Sequence, residues 1–231
     1  FSLVEDKLAQ DGKSQFLTAL FASHIVLIEH LHLAPMPMQL ALTELMLHKT
    51  NVGQKAQSIP EPFMIVATVN PALCQSNSLV CSDSMMLEIP VGMPSLEQEI
   101  KLLKMSVQKK AAQEPLSFLS LLKIFQQAIA MVTVADEIVN YTARLIQSTR
   151  PDKNNEHSFI HERVNYGASP RAGVFLLKAA KVLAGINNRD QVSIADVKTL
   201  APYILSHRLQ LNAEAKHAEI QPQTIVELLL S

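Results

Sequence analysis

The hydrophobic pattern changes character once along the chain, near residue 92. Before that point, short apolar runs alternate with stretches of helical spacing. Residues 2–5 (Ser-Leu-Val-Glu) read as a short strand, a polar turn follows through Asp11 and Gly12, and residues 14–22 have helical spacing. Ile25-Val26-Leu27-Ile28 is apolar and mainly β-branched, which predicts a strand buried on both faces. Pro35 and Pro37 interrupt, residues 38–48 return to helical spacing, and Asn51-Val52-Gly53 marks a tight, hairpin-like turn. Residues 63–69 predict a further buried strand and residues 85–91 a fourth. Strands that alternate with helices in this way predict a small parallel sheet covered by helices.

Beyond Gly92-Met93-Pro94 the spacing is helical throughout. Ser95-Leu-Glu-Gln98 reads as a capping box, because a serine and a glutamine three residues apart satisfy each other's backbone donors. Helices are predicted at 96–108, 116–132, 135–148, 170–186, 193–207 and 222–230. Ser169-Pro170 supplies an oxygen cap followed by proline at the first helical position. Ser193 with Asp196 is another helix start. Residues 151–166 read as a polar, mobile loop. The expected architecture is therefore α/β plus all-α: an α/β domain over 1–92 with about four strands, then a helical domain over 93–231. No internal repeat is evident.

Composition supports a folded chain and excludes little else. Of 231 residues, 48 % are hydrophobic and 18 % charged, enough to bury a core. The net charge of −1 and the absence of a long basic run give no reason to expect nucleic acid or an anionic membrane as partner. His24, His30 and His32 break the longest apolar stretches well before the roughly 18 residues of a bilayer span. No signal segment opens the chain, and Cys74 and Cys81 lack paired-thiol spacing, so a reduced cytoplasmic compartment is the expectation. The first residue is Phe1, which fits a trimmed chain.

Single motifs are weak carriers of chemistry here. Gly12-Lys13-Ser14 lies between a strand and a helix, where a phosphate-binding loop would sit, yet Lys7 occupies the place of that loop's first glycine. Ile25 to Glu29 is an apolar strand ending in a carboxylate, and Glu29 could reach a magnesium ion, but His30 follows where a second acid would orient water. Asn70 ends the strand at 63–69 and precedes Pro71; it suits both the ligand crevice of an open sheet and an ordinary turn. His157 and His161 lie four apart in a polar stretch with no third ligand, and His30 and His32 lie two apart, so neither pair reads as a metal site. The nine methionines read as core filler.

The order of these signals is more specific than any one of them. Leu20-Phe-Ala-Ser-His-Ile-Val-Leu-Ile-Glu-His-Leu-His-Leu-Ala-Pro35 resembles the segment around the second nucleotide motif of the MoxR-type AAA+ ATPases. Gln39, Ala41, Leu42, Glu44 and Met46 then fall where that family's next helix carries the same residue types. Pro60-Glu-Pro-Phe63 with Ala67-Thr-Val-Asn-Pro71 looks like its sensor-1 strand. Tyr166-Gly-Ala-Ser-Pro-Arg-Ala172 resembles the start of the helix bearing the sensor-2 arginine, and Ala179-Ala-Lys181, Arg189-Asp190, Asp196-Val-Lys198, Ala201-Pro202 and His207-Arg-Leu209 continue the likeness, with Tyr141 and Thr149-Arg150 fitting as well.

The resemblance implies an AAA+ core followed by a helical lid, with ATP and magnesium as cofactors. Gly12, Lys13, Ser14 and Arg171 would bind nucleotide, Ser14 and Glu29 the magnesium, and Glu29, Asn70 and Arg171 would serve hydrolysis. Arg171 would reach the γ-phosphate, since a forked cation suits phosphate oxygens. It also implies a ring, hexameric in the family, chaperone-like work on other proteins and partners bearing von Willebrand factor A domains. Departures from the family pattern fall on separate catalytic parts: His30 replaces an acid, and Ser84 after Asp83 stands where the family has its arginine finger. The loop from Asn70 to Asp83 is short, and ten residues separate Ser14 from Ile25 where the family inserts a strand and a helix. Either a decayed phosphate loop has lost an edge unit, or the first motif is absent and residues 1–20 are unrelated; Leu3-Val-Glu-Asp6, which resembles the family's first strand, favours the former. Three functions stay open: an ATPase module with impaired hydrolysis, a pseudo-ATPase acting as scaffold or ring subunit, and a fragment without independent function.

Overall fold

The computed structural model describes residues 23–48, 60–73, 82–107, 119–152 and 156–231. The predicted elements at 2–5 and 14–22, the turn at 51–53, Gly12-Lys13-Ser14, Cys74 and Cys81 lie outside the described residues.

Strand β1 (Ile25–Ile28) pairs in parallel with β2 (Met64–Ala67), in a register running from Ile25 opposite Met64 to Ile28 opposite Ala67. Helix α1 (Met36–His48) covers one face: Leu31 and Leu42 are buried, and Ile28, Ile65, Ala67, Met38, Met46 and Met85 pack around them. The other face is open, with Ile25, Leu27, Met64 and Val66 all exposed. Burial of β1 and β2 on both faces is thus not what the structure has; α1 is the one described helix that packs on this sheet, so inward and outward residues alternate. The strand predicted at 85–91 is also absent. That stretch forms no ladder, and the Glu88 amide instead donates to the Tyr203 carbonyl in the helical half at 2.8 Å.

Six helices appear close to their predicted places, α2 (Leu96–Val107), α3 (Leu119–Met131), α4 (Asp136–Ser148), α6 (Pro170–Ile186), α7 (Ile194–Leu205) and α9 (Pro222–Leu230), and two short ones, α5 (Ser158–Arg163) and α8 (Ala213–His217), have no predicted counterpart. The Ser95–Gln98 box is present, with both reciprocal bonds formed at 3.3 and 2.8 Å. So is the Ser193–Asp196 box, and Asn212 caps α8 through the Ala215 amide at 2.8 Å. No residue of α2 is buried.

Helix α6 is the axis of the helical half. Its Ala172, Leu176, Ala179, Ala180 and Ala184 recur at helical spacing and are buried against α4, α7 and α3. The alanines let neighbouring helices approach closely, and Ile138, Leu145, Ile146, Val197, Ala201, Ile204, Leu205, Ile225 and Val226 complete the core. Residues 156–166 are not loop: α5 leads into β3 (Val164–Tyr166), which pairs antiparallel with β4 (Gln210–Leu211). Ile160 and Val164 anchor this unit in the core, too few apolar positions to stand out in a polar stretch. The methionines likewise depart from expectation: Met36, Met64, Met93, Met105 and Met131 are exposed, while Met38, Met46, Met85 and Met86 are partly buried against the cores. Among the described residues no helix is long and apolar enough to cross a membrane.

One close approach fixes the start of α6. A Cβ on Gly167 would lie 2.6 Å from the Thr149 carbonyl carbon and 2.8 Å from the Arg150 Cα, so the turn is in backbone contact with the end of α4. The Ala168 amide donates to the Thr149 hydroxyl at 2.9 Å, and Arg150 Nε donates back to the Ala168 carbonyl at 3.0 Å.

Candidate functional site

The carboxyl ends of β1 and β2 bring two of the sequence-predicted residues together. Glu29 follows β1 and is exposed. His30 adopts the left-handed region with φ of 55°, a conformation that histidine visits more readily than branched residues do. The bend lets the His30 amide donate to the Thr68 hydroxyl at 3.0 Å and the Leu31 amide to the Thr68 carbonyl at 2.9 Å. Asn70 lies one step further on, its amide donating to His32 Nδ1 at 3.3 Å. Its side-chain oxygen accepts the Ala72 amide at 3.0 Å, so Asn70 forms a turn, although its position at the strand end is as predicted. Glu29, His30, Thr68 and Asn70 thus follow the carboxyl ends of β1 and β2, the side on which open α/β sheets hold ligands.

Arg171 sits elsewhere, at the second position of α6, and its partners are on the turn Ser82–Ser84. Its Nη1 donates to Asp83 Oδ2 at 2.8 Å and to the Ser84 hydroxyl at 3.4 Å. The Ser169 hydroxyl donates to the same carboxylate, 2.9 Å from Oδ1 and 3.1 Å from Oδ2. This corrects the capping expectation: Pro170 does open α6, but the Ser169 side chain serves Asp83 and makes no cap bond. A third group arrives from the turn Ser206–Arg208, where Arg208 Nε lies 3.3 Å from Asp83 Oδ1. Ser84, at the position the family resemblance gives to an arginine finger, is buried and faces Arg171.

Arg208 carries this junction. Its side chain is 1 % exposed, and it donates to the carbonyls of Ile204, Met85 and Asp83 while lying over the Phe175 ring. Burial, partly offset by Asp83, lowers its pKa to about 10. His207 Nε2 is 2.6 Å from Arg208 Nη1 and 3.3 Å from the Met85 carbonyl, so the nearer contact makes it the acceptor of an arginine N–H. Burial first, and the Arg208 charge second, hold the imidazole neutral, with its pKa lowered to about 4. Farther away, Asp196 receives both Arg189 nitrogens at 2.7 and 2.5 Å, and that pairing lowers its pKa to about 2.

These two shifts predict a two-limbed acid profile. Below its ordinary pKa of 6.5 the unfolded chain protonates His207 while the folded chain does so only near 4, so stability falls as pH drops between those values. The Asp196 contribution is present above its ordinary 3.8 and is lost as pH falls toward 2. In urea titrations at pH 7 and pH 4.5, His207→Gln is expected to reduce the wild-type loss by on the order of 2 kcal/mol. An unchanged loss would show that His207 is not the titrating group.

Residues 156–229 match the family described as AAA lid domain. Chaperone MoxR1 of Mycobacterium tuberculosis is 30 % identical over 235 aligned positions, covering 99 % of this chain and 62 % of that protein. The uncharacterised protein YeaC of Bacillus subtilis is 30 % identical over 216, covering 90 % of this chain and 64 % of its own length. A crystal structure of a candidate ATPase from Cytophaga hutchinsonii matches with a TM-score of 0.79 at 29 % identity, over 91 % of this chain and 66 % of that one. The chain belongs to the MoxR family of AAA+ ATPases. It spans 62–64 % of the two curated relatives that it matches over most of its length. A full-length MCM homologue from Methanopyrus kandleri shares the fold alone, with a TM-score of 0.52 and 18 % identity over 80 % of this chain and 38 % of that one.

In MoxR terms, the structure supplies an AAA+ core with a helical lid, and the lid's arginine is held at a carboxylate. The chemistry of Arg171 fits a phosphate: its Nε and Nη2 have no partner among the described residues, and its side chain is 36 % exposed. Of the residues expected to hold magnesium, Glu29 is exposed at the end of β1 and Ser14 lies outside the described residues. In the sequence Asp83 stands out only as the neighbour of Ser84, and Arg208 only as part of His207-Arg-Leu209; the available signal for Arg208 was a cation placed just after the apolar helix end at Ile204 and Leu205.

Proposed function

We propose that this chain is a MoxR-type AAA+ module that binds ATP and hydrolyses it feebly, acting in chaperone-like maturation or assembly of partner proteins. The observation that carries the reading is Arg171, a lid arginine at the core–lid junction with two of its three guanidinium nitrogens unpaired among the described residues. Glu29 and Asn70 at the strand ends would add the metal-facing carboxylate and the water-positioning amide, and Gly12, Lys13 and Ser14 the phosphate and magnesium contacts. The division into 1–92 and 93–231 belongs to the same proposal; Val91 and Met93, 91 % and 97 % exposed, mark the connector. So do assembly into a ring, hexameric by family habit, a von Willebrand factor A domain partner, and a cytoplasmic location.

The pseudo-ATPase alternative draws on two particular residues. His30 cannot act as the second acid at the end of β1, and Ser84 is a buried hydroxyl where a charged finger would have to project. Loss of an arginine finger alone costs roughly 10³–10⁵ in rate. Turnover is expected to lie near the background of a Lys13→Ala control, measured as phosphate release at saturating ATP. Brisk, Lys13-dependent turnover would overturn both the pseudo-ATPase alternative and the expectation of weak hydrolysis.

A further inference from the structure

The turn that opens α6 is built as an anion site, and the chain's own carboxylate fills it. Ser169 and Arg171, two residues apart, direct a hydroxyl and a guanidinium onto Asp83. Those are the donor types that hold a phosphate oxygen. Asp83 is no loose surface acid, since Arg208 also contacts it from the opposite element at 3.3 Å. The arrangement gives Asp83 two cations and Arg171 one anion. If Arg171 leaves, Asp83 keeps a counter-charge in Arg208; while Arg171 stays, its positive field is largely cancelled for any other anion.

We propose that Asp83 is an internal competitor for Arg171: its carboxylate holds the guanidinium when no nucleotide is bound, and the γ-phosphate must displace it before the lid arginine can engage ATP. Asp83 is in this sense a positioning residue, acting on nucleotide through Arg171. The inference rests on the ATP-binding reading above and adds a regulated step to it. Because the exchange concerns the terminal phosphate, it separates ATP from ADP.

The test is equilibrium binding of fluorescent ATP and ADP analogues to the wild-type chain, Asp83→Asn, Arg171→Gln and the double variant. Asparagine keeps an oxygen for Ser169 and Arg208 and removes the charge. Asp83→Asn is expected to tighten the ATP analogue by roughly two- to fivefold, the range for a partly exposed ion pair, to leave the ADP analogue unchanged, and to have no effect in the Arg171→Gln background. An ATP-to-ADP preference that is unchanged or reduced in Asp83→Asn overturns the proposal. So does the same tightening without Arg171. If wild type and Asp83→Asn bind neither analogue, the ATP-binding reading has failed and the inference falls with it. Should Asp83→Asn lose its helical circular dichroism, Asp83→Ser takes its place; it removes the charge, keeps an oxygen, and is expected to tighten the ATP analogue alone, an unchanged ATP-to-ADP preference again overturning the proposal.

Discussion

Leu176→Ala is expected to lower the unfolding free energy by about 2–5 kcal/mol. Leu176 lies mid-way along α6 and is 0 % exposed. Its neighbours on the same face are alanines, so no long side chain is available to swing into the vacated space. The walls are contributed by other helices whose separation is set by those alanines, which limits collapse and keeps the cavity open. Such a loss is a large part of the roughly 5–15 kcal/mol by which domains are stable. Urea unfolding followed by circular dichroism measures it, and a loss below about 1 kcal/mol would mean that α6 is not packed as described.

The second large effect is expected at Arg208. Replacing it by alanine removes the donors from three carbonyls and one counter-charge from Asp83. Breaking a buried pair from one side typically costs about 3–5 kcal/mol. Arg208→Met separates charge from packing, because methionine restores the apolar stem over Phe175. If hydrogen bonding to the 82–85 turn is the stabilising term, methionine recovers little; full recovery would assign the effect to packing alone. Amide exchange adds a location. Arg208→Ala should speed exchange at Met85 and Glu88, whose amides donate to Ser82 and Tyr203 carbonyls, ahead of the helices. Leu176→Ala should instead speed exchange across α6 and α7 together.

These two sites illustrate what could be read in the chain and what could not. The core face of α6 is local information: alanine and leucine at 172, 176, 179, 180 and 184 fall on one helical stripe, and the caps at Ser95 and Ser193 need only a four-residue window to be seen. The family resemblance was legible for the same reason, since its strongest block runs through contiguous residues around Arg171. The Asp83 junction joins residues 86, 88 and 125 positions apart, beyond any periodic window. Residues 85–91 have strand-like apolar content, but their backbone is claimed by Tyr203 rather than by a sheet edge. The α5–β3 unit was hidden because its fold depends on pairing with Gln210–Leu211, far along the chain. At the strand ends, position was readable and role was not: Glu29 and Asn70 lie where the resemblance puts them, yet the Asn70 oxygen is spent on a turn.

The contact at Gly167 has a mechanical consequence. With no side chain between them, the end of α4 and the start of α6 meet backbone to backbone and are pinned by the Thr149–Ala168 and Arg150–Ala168 bonds. Those two helices therefore behave as one stiff lever with Arg171 near its tip. Any swing that carries the guanidinium away from the 82–84 turn must take its fulcrum outside that lever.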